Sequence, residues 1–130
     1  NLNLCWVIVG KEFWNNSNQD ILVDTPLINY HYRPGDKNDR INVSVCAINV
    51  EKDVNYATTL TIKHIEDEKN TVISTSLKFN YIKPYLGDVP YGRATVGFLG
   101  YSFNREGLHE VRVTHEEQVL TTYFNVIFEE

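Results

Sequence analysis

Residues 103–128 read FNREGLHEVRVTHEEQVLTTYFNVIF, and this stretch decides the fold. Val111 and Val113 fall on one face of an extended segment, with Glu110 and Arg112 on the other. Period-two alternation of this kind marks a half-buried β-strand. His-Glu-Glu-Gln at 115–118 is a polar turn, and 119–128 is rich in Val, Thr, Tyr, Phe and Ile, the residues that favour pleated structure. Strand, short turn and strand predict a β-hairpin that closes an antiparallel sandwich.

The same pattern runs back through the chain. Ile41, Val43, Val45 and Ala47 alternate with Asn42, Ser44 and Cys46. Residues 58–65 predict a strand with Leu60 and Ile62 inward and Thr59, Thr61 and Lys63 toward solvent. Past a charged tip at Glu66, Asp67, Glu68 and Lys69, residues 71–81 keep Ile73, Thr75, Leu77, Phe79 and Tyr81 in phase, so the two segments predict one long hairpin. At the start, the polar run 15–18 predicts a hairpin turn between an apolar segment at 4–14 and a second strand at 21–23. Residues 27–32 form another short apolar stretch, and 33–39, with Pro34-Gly35, is the clearest loop. About eight or nine short strands and no helix point to an all-β protein, a sandwich of two antiparallel sheets. The 130 residues make one domain, 1–130, long enough to bury a core without staples.

Several segments resemble the uncharacterised, single-domain immunoglobulin-like β-sandwich proteins of bacterial and phage genomes. The opening strand, polar turn and second strand match at 4–9, 15–18 and 21–23, and the central hairpin at 60–65 and 72–79. The closing pattern matches at Gly107, His109, Val111, Val113 and 120–126. The resemblance implies an immunoglobulin-like sandwich of bacterial or phage origin. It brings no activity, because that family has none assigned, and a fold does not fix a function.

Composition narrows the function classes. The net charge is −5, and Lys and Arg are scattered singly. Nucleic-acid affinity draws mainly on clustered cations, so a DNA or RNA partner is disfavoured. No segment approaches the roughly 20 apolar residues of a membrane helix, and residues 4–9 read as a strand rather than a signal peptide. The expected location is the cytoplasm; the chain starts at Asn1 and contains no Met, which leaves a removed leader and a secreted protein open. Cys5 and Cys46 read as two free thiols in strands, with one disulfide as the alternative in an oxidising compartment.

Catalytic and cofactor patterns are weak. His31, His64, His109 and His115 lack the local spacing of a metal site, so they read as surface or sheet-face imidazoles and no metal or other cofactor is expected. Asp36, Asn38 and Asp39 lack the Gly and terminal Glu of a calcium loop. The carboxylates at 66–68 and 116–117 sit at turn tips, where water solvates them. No nucleophile elbow occurs, and no helix follows Gly92, Gly97 and Gly100 to cradle a phosphate. The triplets beginning at Asn15 and Asn42 match a glycosylation pattern at chance level in an Asn-rich chain.

The remaining candidate is aromatic. Tyr81, Tyr85, Tyr91 and Tyr101 lie in or beside residues 81–100, broken by Pro84, Gly87, Pro90 and Gly92, and Tyr30 and Tyr32 are candidates to join them. Tyr gives amphipathic contact area at low entropic cost. The competing reading has these rings cover an open end of the sandwich. The chain is therefore expected to be a non-enzymatic interaction or accessory module, for a protein partner or for itself. A surface adhesin-like or carbohydrate-binding module, with Trp14 as a stacking platform, is the alternative, and a small molecule or glycan fits that reading.

Overall fold

The computed structural model describes residues 1–11, 13–15, 21–23, 26–67 and 69–130; the side chains of 13–15 and 21–23 are outside the description. The strands are β1 (Asn3–Gly10), β2 (Phe13–Asn15), β3 (Ile21–Val23), β4 (Asn29–Tyr32), β5 (Arg40–Ile48), β6 (Thr59–His64), β7 (Ile73–Ser76), β8 (Asn80–Ile82), β9 (Tyr91–Leu99), β10 (Gly107–His115) and β11 (Gln118–Phe128). One 3-10 turn, Gly100–Ser102, follows β9. Nine strands form two sheets, ordered β1-β5-β9-β8 and β4-β11-β10-β6-β7, and β2-β3 is a separate ribbon. The all-β sandwich read from the sequence is present.

The closing hairpin is the most regular part. His115 pairs with Gln118, and the ladder runs unbroken to Gly107 and Val126. Glu116 takes a positive φ of 52° in the two-residue turn. The inward residues Val111 and Val113 are fully buried beside Leu60 and Ile62 of β6 and Val43 and Val45 of β5. Each such side chain contributes about 1.5–3 kcal/mol by leaving water. Opposing inward faces of this kind make one core between two sheets.

Four sequence expectations change. The segment 71–81 is not one strand. β7 makes only four pairs with β6, and β8 belongs to the other sheet. Leu77 and Phe79 stay in phase because they pack in the core while the chain crosses between sheets. The segment 81–100, expected as a Pro- and Gly-broken connection with strand character at 94–99, is mostly strand. It holds β8 and all of β9, which lies inside its sheet between β5 and β8. Gly92 reads as a breaker but is a strand residue in a close approach: an added Cβ would stand 3.1–3.2 Å from Val50, Phe79 and the Asn80 carbonyl.

The opening segment also divides. β1 pairs with β5, whereas β2 pairs with β3; the tip expected at 16–18 lies outside the described residues. Finally, the sheets are not wholly antiparallel, because β4 runs parallel to β11. Gln118, the first residue of β11, binds Leu2 and Leu4 at the start of β1, and β4 lies along the far end of β11. The chain thus climbs one edge of the sandwich in a single direction, first in one sheet and then in the other.

Tyr30 and Tyr32 of β4 are only 1% and 4% exposed. They stack with centroids 6.2 Å apart and crowd Gly100, where any Cβ would overlap the Tyr30 hydroxyl and the Tyr32 ring. Gly100→Ala is expected to lose about 1–3 kcal/mol, the usual cost of overpacking a filled core, read as a lower urea midpoint with an unchanged slope.

Candidate functional site

The loops 49–58 and 83–90, the turn 116–117 and the N-terminus gather at one end of the sandwich. A small second core of Leu2, Ala47 and Val50, with Tyr56, Phe79 and Tyr81 packed against it, supports them. The Asn49 amide donates to the Pro90 carbonyl at 2.8 Å, joining the first two loops. The His115 ring bonds the Ala57 carbonyl at 3.0 Å and meets Tyr56 edge-on, while the Glu51 amide donates to the Tyr56 hydroxyl. These contacts make a rigid base rather than a loose set of loops.

Loop 83–90 projects from that base. The Asp88 amide donates to the Tyr85 carbonyl at 2.8 Å, closing a four-residue turn. Gly87 has φ +89° at the third position, as a type II turn requires. Leu86 at the corner is 95% exposed, Tyr85 82% and Val89 52%. Pro84 and Pro90 flank them, so little backbone freedom remains to be lost on binding. Beside it, an open groove of about 560 Å³ is lined by 51–55 and 78–81. Glu51 and Asp53 alternate there with Lys52 and Lys78, giving a mixed-charge wall with Phe79 and Tyr81 at its base.

The six tyrosines do not form one patch. Tyr85 stands on the projecting loop. Tyr81 is half-buried above the second core, and Tyr91 is half-buried on the outer face of its sheet, opposite Ile48 and Ile82. Tyr101 is exposed but follows the far end of β9 from Tyr91, about 26 Å away along a nine-residue strand. Tyr30 and Tyr32 are core residues. The side chain of Trp14 lies outside the described residues. Leu86, Val89 and the loop 49–58 escaped the sequence reading; the signal was present in Leu86 and Val89, two large apolar residues inside a Pro- and Gly-bounded turn.

The perturbed Tyr30 and Asp39 lie elsewhere and serve the fold. At the opposite end, burial first and then the Asp39 carboxylate push the Tyr30 hydroxyl far above its ordinary pKa. Burial opposes ionisation of Asp39, but hydrogen bonds from Lys11 and Tyr30 hold its carboxyl below the usual value. This triad ties the loop 33–39 to the core.

Three histidines are buried rather than on the surface. His109 shares the inward face of β10 with Val111 and Val113, and it pairs across the ladder with His64. Their rings lie 5.0 Å apart edge to face, and Phe124 stacks on His109 at 5.7 Å. The His109 Nδ1 donates to the Gly107 carbonyl, which leaves Nε2 as a buried acceptor without a partner. His64 is spanned by the Glu66 amide on one nitrogen and the Glu106 carbonyl on the other. His31 is exposed, 2.8 Å from Glu129. Among the described residues no three His, Cys, Asp or Glu side chains converge as metal ligands, and no helix is long and apolar enough to cross a membrane.

The sequence matches no protein-family model and no curated protein.

Burial first, then the neighbouring His64 and Arg105, holds the His109 imidazole below its ordinary pKa of 6.5. Below about pH 6.5 the unfolded chain takes up a proton that the native chain refuses. The stability carried by the neutral ring is therefore fully present above that pH and is lost as pH falls, by up to about 1.4 kcal/mol per pH unit. The urea midpoint is expected to drop between pH 7.5 and 5, and His109→Phe, which keeps the stacking on Phe124, is expected to drop less steeply.

Proposed function

We propose that this chain is a non-enzymatic binding module on an immunoglobulin-like scaffold, and that it engages a protein partner through loop 83–90 and the adjoining groove. The single observation behind this reading is the exposure of Tyr85, Leu86 and Val89 together on a proline-flanked turn. A monomeric domain gains nothing for its own stability from such a display, whereas rigid aromatic and aliphatic anchors are what interfaces use.

The immunoglobulin-like assignment is supported by strand order. β1-β5-β9-β8 corresponds to A-B-E-D, and β11-β10-β6-β7 to G-F-C-C′, with β4 as a second segment of the first strand beside the last. The pairing of inter-sheet cysteines common in antibody domains has no counterpart: the facing positions are Val43 and Val45 on β5 and Val111 and Val113 on β10. In this arrangement loops 49–58, 83–90 and 116–117 emerge at the end that carries antigen-binding loops in variable domains. A bacterial or phage origin rests on the sequence resemblance alone.

The test compares the wild-type chain with Tyr85→Ala/Leu86→Asp. Both side chains are exposed, so the thermal midpoint is expected to stay within about 2 °C. Loss of two anchors is expected to weaken partner binding at least about tenfold. Capture from a host lysate, with light scattering on the pure protein, reads both a foreign partner and self-association. Equal capture by wild type and variant, or a strictly monomeric wild type that captures nothing, contradicts the proposal.

A further inference from the structure

β1 carries one residue too many for its partner. Leu4 pairs with Ala47 and Trp6 with Cys46, leaving Cys5 without a position of its own in the ladder. Leu4 and Val7 both pack against the core, yet strict alternation would put residues three apart on opposite faces. The bulge resolves the conflict by turning two consecutive residues, Cys5 and Trp6, to the outer face. Cys46 lies between the fully buried Val45 and Ala47 of β5, so its side chain points to that same outer face.

The two residues therefore lie side by side on adjacent strands. Trp6 is the ladder partner of Cys46, and the bulge sets Cys5 beside it, so that two residues of β1 oppose Cys46. Directly opposed Cα atoms lie about 4.5–5.5 Å apart, and a disulfide bridges roughly 4.4–6.8 Å, which leaves room for the neighbouring position. Both thiols are free, and the Cys5 thiol faces the Asn3 carbonyl, at 3.8 Å. Cys5 is exposed and Cys46 is 7% exposed.

We propose that Cys5 and Cys46 are a reversible redox couple, which a low-molecular-weight disulfide oxidises to a β1–β5 cross-strand bond and a thiol reductant reopens. The exposed Cys5 thiolate attacks one sulfur of the oxidant RSSR, forming Cys5–S–SR and releasing RS⁻. The Cys46 thiol gives up its proton, and its thiolate attacks the Cys5 sulfur, closing the bond and expelling the second RS⁻. The two cysteines lose two electrons, and the oxidant leaves as two RSH carrying their two protons. The order of attack follows from access and acidity. Burial first, and then neighbouring Cys5, push the Cys46 thiol up to about 11 against the pull of Arg93, so Cys46 is the resolving residue.

Closure clamps an edge strand. Among the described residues β1 pairs with a single strand, β5, and the bond fixes the bulge at the end where loops 49–58 and 83–90 gather. The couple goes beyond the binding proposal and does not depend on it.

The whole chain is incubated with glutathione disulfide or with dithiothreitol, then alkylated in denaturant with N-ethylmaleimide and weighed. The oxidised monomer is expected to take no alkyl group, to yield one peptide linking Cys5 to Cys46, and to melt on the order of 10 °C higher. Dithiothreitol is expected to restore two alkyl groups and the lower midpoint. Cys5→Ser, at an exposed position, and Cys46→Ser should show no oxidant-dependent shift. Two reactive thiols after oxidation, a stable glutathione adduct on Cys5 with Cys46 still alkylated, or dimers joined through Cys5 would each overturn the proposal.

Discussion

The structure depends on one dry seam, where the inward faces of β5 and β10 are brought into a single core with those of β6, β9 and β11. Val43, Val45, Ile62, Val111, Val113 and Phe124 are all fully buried within it. β-branched residues dominate that seam because they suit a pleated backbone and lose little side-chain freedom there. With no disulfide across the seam, packing is the main force that holds the sheets together, helped at one edge by the hydrogen bonds of Gln118 to Leu2 and Leu4. The bulge at Cys5 and the crossover at Leu77 and Phe79 keep inward residues on this seam, and β4 extends it beside β11.

The polar groups trapped near the seam show what that register costs. His109 occupies a core position by parity, two residues before Val111. One of its nitrogens finds the Gly107 carbonyl, and the other finds nothing. An unmet buried acceptor costs about 1–3 kcal/mol, offset here by the ring's contacts with Phe103, Phe124 and His64. Tyr30 is handled differently: its hydroxyl reaches Asp39, and Lys11 completes the triad. Groups that look like chemistry in the sequence are thus already committed to stability, which moves attention to the loops.

Much of the fold was legible because alternation survives in a sandwich. The faces of β5, β6 and β10 follow directly from it, and so does the closing turn. What period two cannot reveal is which sheet a strand joins. Leu77, Phe79 and Tyr81 keep perfect phase while the chain changes sheets, and 81–100 looks broken although Gly92 sits in a continuous strand. The histidines divide for a related reason: His31 is at the surface, as expected, whereas spacing along the chain does not show that His64 and His109 meet as a cross-strand pair set by register. Extending the Val111–Val113 parity by one step each way would have buried His109 and His115. Among the candidate tyrosines, Tyr85 is exposed, whereas Tyr30 and Tyr32 are buried on a strand whose parallel placement against β11 no local pattern encodes.

The division of labour between the two ends follows from these constraints. At the end bearing 33–39 and Gly100, the tyrosines turn inward, and the Lys11–Asp39–Tyr30 triad and a side-chain-free glycine close the core over them. At the other end, a second core seated on Leu2 and Val50 supports the loops from below, so loop 83–90 need not fold inward to bury its own apolar residues. Tyr85 and Leu86 are exposed because Gly87 and two prolines fix the turn, and because the space beneath them is already filled. Two prolines and the Asp88–Tyr85 hydrogen bond restrict this surface, and a restricted apolar tip loses less entropy when it is covered. That physical asymmetry, more than the number of tyrosines, is what the proposal of a recognition surface at this end of the sandwich rests on.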